Sequence, residues 1–157
     1  MEGFLFEKDE DYRVWLLLYH AQRAVCRLRQ KELNRYGMST PEAGVLFAIK
    51  ANGKEATHTE LSRWMSREPH SVFGLVERME KKGFVTRNKD LDRKNLVRLA
   101  MTEKGRQAYS ASIKRESIHR TFSCLSKKES RQLVSCLEKL RDRALQELGI
   151  ENKPSFP

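Results

Sequence analysis

The sequence is poor in the residues that build metal, disulfide and nucleotide sites. Its 157 residues include three cysteines, Cys26, Cys124 and Cys136, without a C-x-x-C spacing, and four scattered histidines. No glycine-rich phosphate loop and no Ser or Cys nucleophile with a supporting histidine is recognisable. We therefore expect no metal, no cofactor and no enzyme activity. The odd number of cysteines favours reduced thiols buried as small apolar side chains, with a redox-sensing thiol as the alternative.

Long apolar runs are also missing. No run approaches the roughly 18 residues of a membrane helix. The first residues, MEGFLFEKDEDY, have no basic segment followed by an apolar block. The sequence thus predicts no membrane span and no signal peptide, and we expect a cytoplasmic protein.

Positive charge is in excess and is concentrated in the middle of the chain. Lys and Arg number 31 against 21 Asp and Glu, a formal net charge of +10. Residues 1–49 hold seven basic and seven acidic residues, residues 50–106 hold fourteen and eight, and residues 107–157 hold ten and six. This distribution predicts a polyanionic partner for the central segment.

The central segment has the pattern of a helix bounded at both ends. Pro69 suits a first helical turn, and Gly83 lies where a left-handed cap would end the helix. Apolar residues at spacings of three and four mark one buried stripe: Val72, Leu75, Val76 and Met79. The opposite face is the predicted recognition face: Arg67, His70, Ser71, Gly74 and Arg78.

A charged hairpin is predicted directly after this helix. Residues 84–86 are strand formers, and residues 97–101 alternate at the period of a strand. The turn between them is rich in charge and turn residues. The candidate nucleic-acid contacts on the hairpin are Lys89, Asp90, Asp92, Arg93, Lys94 and Arg98.

Five further helices are predicted around this unit. The first runs from Asp11 to about Tyr36, and the second opens with Ser39 or Thr40 as its N-cap. The third begins at Thr57 with a capping box, so the third and fourth helices form a helix-turn-helix. The fifth runs from Thr102 to about Phe122, and the sixth is capped at 126–129.

The terminal helices carry apolar residues that a small winged unit cannot bury. We expect them to pair with a second copy of the chain, and the alternative is that they fold back on their own domain. The predicted dimer contacts are Trp15, Leu133, Leu137, Leu140 and Leu148.

Several short motifs, taken in order, resemble the MarR family of winged helix-turn-helix transcriptional regulators. They are Thr57-x-x-Glu60-Leu61-Ser62, the helix end at residues 75–85, the Asp90-x-Asp92-Arg93-Lys94 turn, and Thr102-Glu103-Lys104-Gly105. The resemblance covers about residues 10–148. It implies one chain, 1–157, that is mainly α with a small β-wing. The winged helix-turn-helix would span 38–102, and the dimerisation helices 9–37 and 103–148.

The resemblance also implies a function. A homodimer would place its recognition helices in successive major grooves of a pseudo-palindromic double-stranded DNA operator and its wings in the flanking minor grooves, most often as a repressor. Arg93 would enter the minor groove, oriented by Asp92 or Asp90. Two departures stand out: the segment from Asp92 to Thr102 is one residue longer than usual, and Phe73 and Gly74 replace polar or basic residues. Phe73 is expected to pack against the wing or to contact a thymine methyl.

An aromatic or anionic effector would bind between the dimer helices and the winged domain. Its pocket would be lined by Trp15, Tyr19, His20, Arg23, Phe47 and Trp64, although the aromatic members could be core residues instead. The alternative functions are an RNA-binding or protein-assembly winged helix and a thiol-based redox-sensing regulator.

Overall fold

The computed structural model describes residues 9–65, 67–89 and 96–150. In these ranges the chain forms seven α-helices and one antiparallel pair of strands, so the predicted mainly α fold with a small β-wing is confirmed. The elements are α1 Glu10–Asn34, α2 Thr40–Asn52, α3 His58–Met65, α4 Pro69–Lys81, β1 Val85–Lys89, β2 Val97–Met101, α5 Glu103–Ser112, α6 Glu116–Phe122 and α7 Lys127–Glu147. Within the described ranges, no helix is long and apolar enough to cross a membrane.

The hydrophobic core lies between α2, α3, α4 and the hairpin. The predicted stripe of α4 is buried throughout, and so are Val45, Leu46, Ala48 and Ile49 of α2. The fully buried side chains include Leu33, Leu46, Leu61, Val72, Val76, Met79 and Val85. Burial of large side chains from α4 and β1 in one core fixes the recognition helix beside the hairpin.

Caps set the ends of the helices. Ser39 is the N-cap of α2, and its hydroxyl and Glu42 form a reciprocal capping box. Ser126 and Glu129 do the same for α7, as predicted. At α3 the backbone N–H of Glu60 donates to the Thr57 hydroxyl at 3.3 Å. Gly83 has φ of 75°, the left-handed conformation that was predicted.

The prediction of one fifth helix from Thr102 to about Phe122 is wrong, because this segment forms two helices, α5 and α6. α5 ends at Ser112, and α6 begins at Glu116 after a turn in which Arg115 adopts a left-handed conformation with φ of 50°. The start of α6 is held by Glu32 of α1. The Glu32 carboxylate accepts hydrogen bonds from the backbone N–H groups of Glu116 at 3.0 Å and Ser117 at 3.1 Å, and from the Ser117 hydroxyl. A buried carboxylate from α1 therefore caps the new helix.

The hairpin pairs β1 with β2 from Val85 opposite Met101 to Lys89 opposite Val97. The edge of β2 that does not pair with β1 contacts the segment before α3. Thr57 forms an isolated bridge to Arg98, and the Leu99 N–H donates to the Ala56 carbonyl at 2.8 Å. The inner edge of the wing is thus tied to the start of α3. The predicted tip residues Asp90, Asp92, Arg93 and Lys94 lie outside the described residues.

The junction between the hairpin and α5 explains the Thr-Glu-Lys-Gly motif. The Thr102 hydroxyl caps α5 by accepting from the Gly105 N–H at 2.9 Å and donates to the Gly83 carbonyl at 2.6 Å. A side chain at Gly105 would lie well inside van der Waals contact with the Phe84 carbonyl oxygen. Only glycine allows α5 to approach the end of α4 this closely.

Candidate nucleic-acid interface

The exposed face of α4 is the surface that the sequence predicted for recognition. Arg67, His70, Ser71 and Arg78 are exposed, and Gly74 is half-buried. All five line one open concavity of about 340 Å³. The structure therefore brings these five predicted residues together on a single surface.

The start of α2 completes this concavity, and the sequence analysis missed it. Ser39 and Pro41 also line it. At this start the backbone N–H groups of Ser39, Thr40 and Glu42 are already paired, with Glu42, Gln30 and Ser39. What it offers to an anion is the positive end of the helix dipole. The N-cap predicted at Ser39 or Thr40 marked this helix start, but no local pattern placed it beside α4.

An ion pair joins the two elements of the concavity. Glu42 in α2 is buried, and its carboxylate accepts from Lys82 Nζ at 2.8 Å and from the Ser39 N–H at 2.7 Å. Burial alone would raise the pKa of Glu42, but the bonds from Lys82 and Ser39 outweigh it and lower the pKa. The start of α2 is thereby held at the end of α4.

Two of the predicted hairpin contacts are described. Arg98 donates to the Lys54 carbonyl. Lys89 is exposed at the end of β1. Of the predicted contact residues, Arg67, His70 and Arg78 on or beside α4 line one shared surface.

Phe73 packs against the hairpin, as the sequence analysis favoured. Its ring lies 5.7 Å from the Arg87 guanidinium of β1 and 5.2 Å from the His58 ring of α3. Arg87 also bonds to Glu80 of α4, with Nε donating to Oε2 at 2.7 Å. The sequence analysis did not single out Arg87 or His58, because nothing in the local pattern of either residue marks this contact.

A separate crevice of about 320 Å³ lies between α1, α2 and the turn after α5. Phe47 and Trp64 form its aromatic wall, with ring centroids 5.1 Å apart, and the Arg115 guanidinium lies 5.7 Å from the Phe47 ring. Arg29 lines it as well, donating to the Ser112 carbonyl at 2.6 Å and pairing with Glu32 at 3.0 Å. Two cations and two aromatic rings thus surround the crevice.

Within one chain, the residues of the predicted effector pocket form two separate groups. Trp15 and Tyr19 stack on the exposed side of α1 with centroids 5.9 Å apart, next to His20 and Arg23. The α1 residue that reaches the crevice is Arg29, ten residues after Tyr19 and so about 15 Å further along the helix. Side-chain type alone could not show that the crevice lies beside Arg29 and not beside Tyr19.

An apolar groove of about 660 Å³ separates α1 from α6 and α7. Leu133, Leu137 and Leu140 of the predicted dimer set line it, whereas Trp15 and Leu148 are exposed elsewhere. The prediction of buried thiols is wrong here: all three cysteines are exposed, and all three line this groove. Among the described residues, no group of three His, Cys, Asp or Glu side chains could hold a metal ion.

Comparison with known proteins identifies relatives of this fold. The MarR family model matches residues 36–94. The organohalide-sensing transcriptional regulator RdhR, with 2,4-dichlorophenol bound, has a TM-score of 0.81 and 29% identity, over 91% of this chain and 86% of that chain. A cysteine-to-serine mutant of E. coli MarR with operator DNA has a TM-score of 0.77 and 20% identity, over 88% and 99%. CouR from Rhodococcus jostii RHA1, bound to p-coumaroyl-CoA, has a TM-score of 0.72 and 21% identity, over 88% and 95%. No curated protein sequence matches.

The fold and the concavity on α4 define a winged helix-turn-helix protein with additional terminal helices. The family match covers the helix-turn-helix and the first strand of the hairpin but not β2, and the solved relatives share the fold over most of the chain. The central part of the chain, residues 36–94, thus matches the MarR family of transcriptional regulators, and the resemblance to this family seen in the sequence is confirmed.

Proposed function

We propose that this protein is a homodimeric repressor that binds a pseudo-palindromic double-stranded DNA operator sequence-specifically. One observation carries the proposal. The buried stripe of α4 fixes the helix, while its opposite face joins the start of α2 in one open cationic concavity. A polar helix face of this kind fits the major groove, and the positive charge around it fits the phosphate backbone.

The proposed DNA contacts are of two kinds. Contacts to phosphates position the protein on the duplex, and contacts to base edges specify the sequence. Arg67 and Arg78, at the two ends of the exposed face, are assigned to phosphates, and the positive end of the α2 dipole lies beside them. His70 and Ser71 lie in the first turn of α4, where a recognition helix reaches base edges. Gly74 has open space around it, since an added Cβ would meet only Arg78 Nη1, at 3.6 Å. Arg93, with Asp92 or Asp90 as its orienting partner, is assigned to the minor groove from the family resemblance.

The second copy would cover the terminal helices. α7 has no buried residue, and the groove that it forms with α1 exposes almost only apolar surface. A soluble monomer rarely exposes a continuous apolar surface of this kind, so a like partner is the natural occupant. Trp15 and Leu148 are exposed on α1 and at the end of α7, outside the lining of the groove, and are assigned to the same interface.

The crevice beside α1 is proposed as the effector site. Phe47 and Trp64 offer aromatic contact, and Arg29 and Arg115 offer positive charge, so an aromatic monoanion is the class of ligand that fits. The crevice joins α1 to the winged unit. A ligand that prefers one arrangement of these parts would change the spacing of the two recognition helices. Because 2,4-dichlorophenol is bound to RdhR, it is a reasonable first probe.

Selection of bound duplexes from a random pool tests the proposal. We expect an enriched motif with two-fold symmetry and half-sites about one helical turn apart. Addition of an aromatic anion should release the selected duplex. Enrichment of structured RNA, or capture of neither nucleic acid, would instead favour the RNA-binding or protein-assembly alternative.

A further inference from the structure

We propose that Glu80 and Arg87 form a clamp that positions the wing against the recognition helix, without either residue being a DNA contact itself. The inference rests on the proposed function, because it assigns a role in DNA binding. Glu80 lies in the last turn of α4, and Arg87 is the third residue of β1. The clamp therefore crosses the junction between the two elements expected to reach DNA.

The clamp is a double contact. Arg87 Nε donates to Glu80 Oε2 at 2.7 Å, and Arg87 Nη2 pairs with the same oxygen. The hydrogen bond from Arg87 lowers the pKa of Glu80, so the carboxylate stays charged at neutral pH. Charge-assisted bonds of this kind are stronger and more directional than neutral ones.

An aromatic ring supports the clamp from α4. The Arg87 guanidinium lies over the Phe73 ring, and the His58 ring also packs against Phe73. Burial and, after it, the charge of Arg87 lower the pKa of His58, so a neutral imidazole packs there. Three elements, α3, α4 and β1, thus meet around Phe73, whose ring is about half exposed and does not belong to the main core.

The position of Arg87 along β1 explains what the clamp does. Val85 is buried, and the four residues after it in β1 are exposed. The apolar core therefore anchors β1 only at its first residue, whereas β2 is anchored at the buried Leu99, which lies opposite Arg87. Side chains two apart on a strand point to the same face, so Arg87 adds a second attachment of β1 on the side that faces α4. With β2 held at Leu99 and β1 held at Arg87, both strands are attached at the same level, and this fixes the tilt of the hairpin beyond it.

Removal of the Glu80 charge should have opposite effects on DNA binding if Glu80 positions Arg87 and if Glu80 acts only by repelling phosphates. Glu80 carries a negative charge, and a lone carboxylate near DNA repels phosphates. If Glu80 acted only through its charge, Glu80→Gln would tighten binding. The clamp predicts the opposite, because the variant removes the acceptor that orients Arg87.

The test compares Glu80→Gln with Glu77→Gln, on a duplex that the wild-type protein recovers from a random pool. Glu77 lies one turn earlier on α4 and pairs with Lys81 at 3.5 Å, so its replacement removes the same charge and leaves the Glu80–Arg87 bonds in place. We expect Glu80→Gln to weaken binding roughly three- to tenfold relative to Glu77→Gln. Footprint protection should be lost first at the flanks, where the wings would bind. Equal affinities of the two variants would overturn the clamp.

Charge reversal identifies the role of Arg87. Arg87→Glu alone should weaken binding, and Arg87→Glu combined with Glu80→Arg should restore part of it, because the pair is rebuilt with the same net charge. If the double variant binds as weakly as Arg87→Glu, then Arg87 touches DNA itself and the positioning role is wrong. Thermal unfolding of each variant checks that the fold is intact.

Hydrogen exchange of the free protein tests the clamp separately from the proposed function, because the measurement needs no DNA. With the clamp, Glu80→Gln speeds exchange of the β1 and β2 amides while Glu77→Gln does not. Unchanged exchange overturns the clamp even if DNA binding is weaker. A wild-type protein that binds no duplex overturns the proposed function, and the role of the clamp in DNA binding with it.

Discussion

Gly105 fixes the distance between the recognition helix and the helix that leaves the winged unit. A Cβ at this position would overlap the Phe84 carbonyl, which is backbone and cannot rotate away. Gly105→Ala should therefore lower the free energy of unfolding by about 1–3 kcal/mol, despite the better helix propensity of alanine. Thermal or urea unfolding measures this effect.

Gly74→Ala is the matched control. It makes the same change inside a helix, where the new methyl group would meet only the end of the Arg78 side chain. Stability should rise by up to about 1 kcal/mol, as expected for alanine in a helix interior. A Gly105→Ala variant as stable as the wild type would contradict the close approach at the Thr-Glu-Lys-Gly turn.

Glu32 is the second residue whose chemistry holds two elements together. Burial alone would raise its pKa, but hydrogen bonds from Ser117 and Arg29 outweigh it and lower the pKa from 4.5 to about 2. Glu32→Gln should cost about 1–3 kcal/mol of stability at pH 7, because the bonds to a charged acceptor are weakened.

The lowered pKa of Glu32 also predicts how its contribution to stability changes with pH. The folded state holds the charged form of Glu32 more strongly than the unfolded state does, so its contribution is complete above about pH 4.5 and is lost as the pH falls towards 2. The stability difference between wild type and Glu32→Gln should shrink over that range. A difference that stays constant from pH 7 to pH 2 would contradict the charged cap.

At the scale of elements, the wing is the part whose contribution rests on the family resemblance. Arg93→Ala should weaken binding to the selected duplex by about 1 kcal/mol or more and leave the dimer intact. Fluorescence anisotropy of a labelled duplex measures this. Arg143→Ala is the control, since Arg143 pairs with Glu147 on α7 and its loss removes the same charge far from the winged unit. If both variants bind like the wild type, the wing has no part in the mechanism.

Elements whose signals are local could be predicted from the sequence. The stripe of α4, the left-handed Gly83, the N-cap of α2 and the capping of α7 at residues 126–129 depend on residues a few positions apart, and all were found. The polar face of α4 followed from the same periodicity. Its five candidates therefore fell on one surface.

Features that depend on distant residues could not be predicted. The break before α6 needs Glu32, which lies more than eighty residues earlier in the chain. The exposure of Cys26 and the separation of Tyr19 from Phe47 depend on where α1 leaves the winged unit. The Glu80–Arg87 contact spans only seven residues, but it requires the turn at Gly83 to fold β1 back beside α4.

At the scale of the whole molecule, the apolar groove makes the dimer testable. Leu137→Glu with Leu140→Glu places two charges in it and should abolish dimerisation, because burial of unpaired charge is costly. Sedimentation velocity measures the result. Val134→Glu is the control, since Val134 is exposed on α7 but does not line the groove. A wild-type protein that is monomeric at micromolar concentration would contradict this interface.

The central claim is that two chains together read one duplex. Sedimentation equilibrium of the protein with a labelled duplex from the random-pool selection tests it most directly. We predict complexes with two chains per duplex and none with one chain, because each half-site needs its own recognition helix. A saturated complex with a single chain per duplex, or no complex even in low salt, would contradict the account.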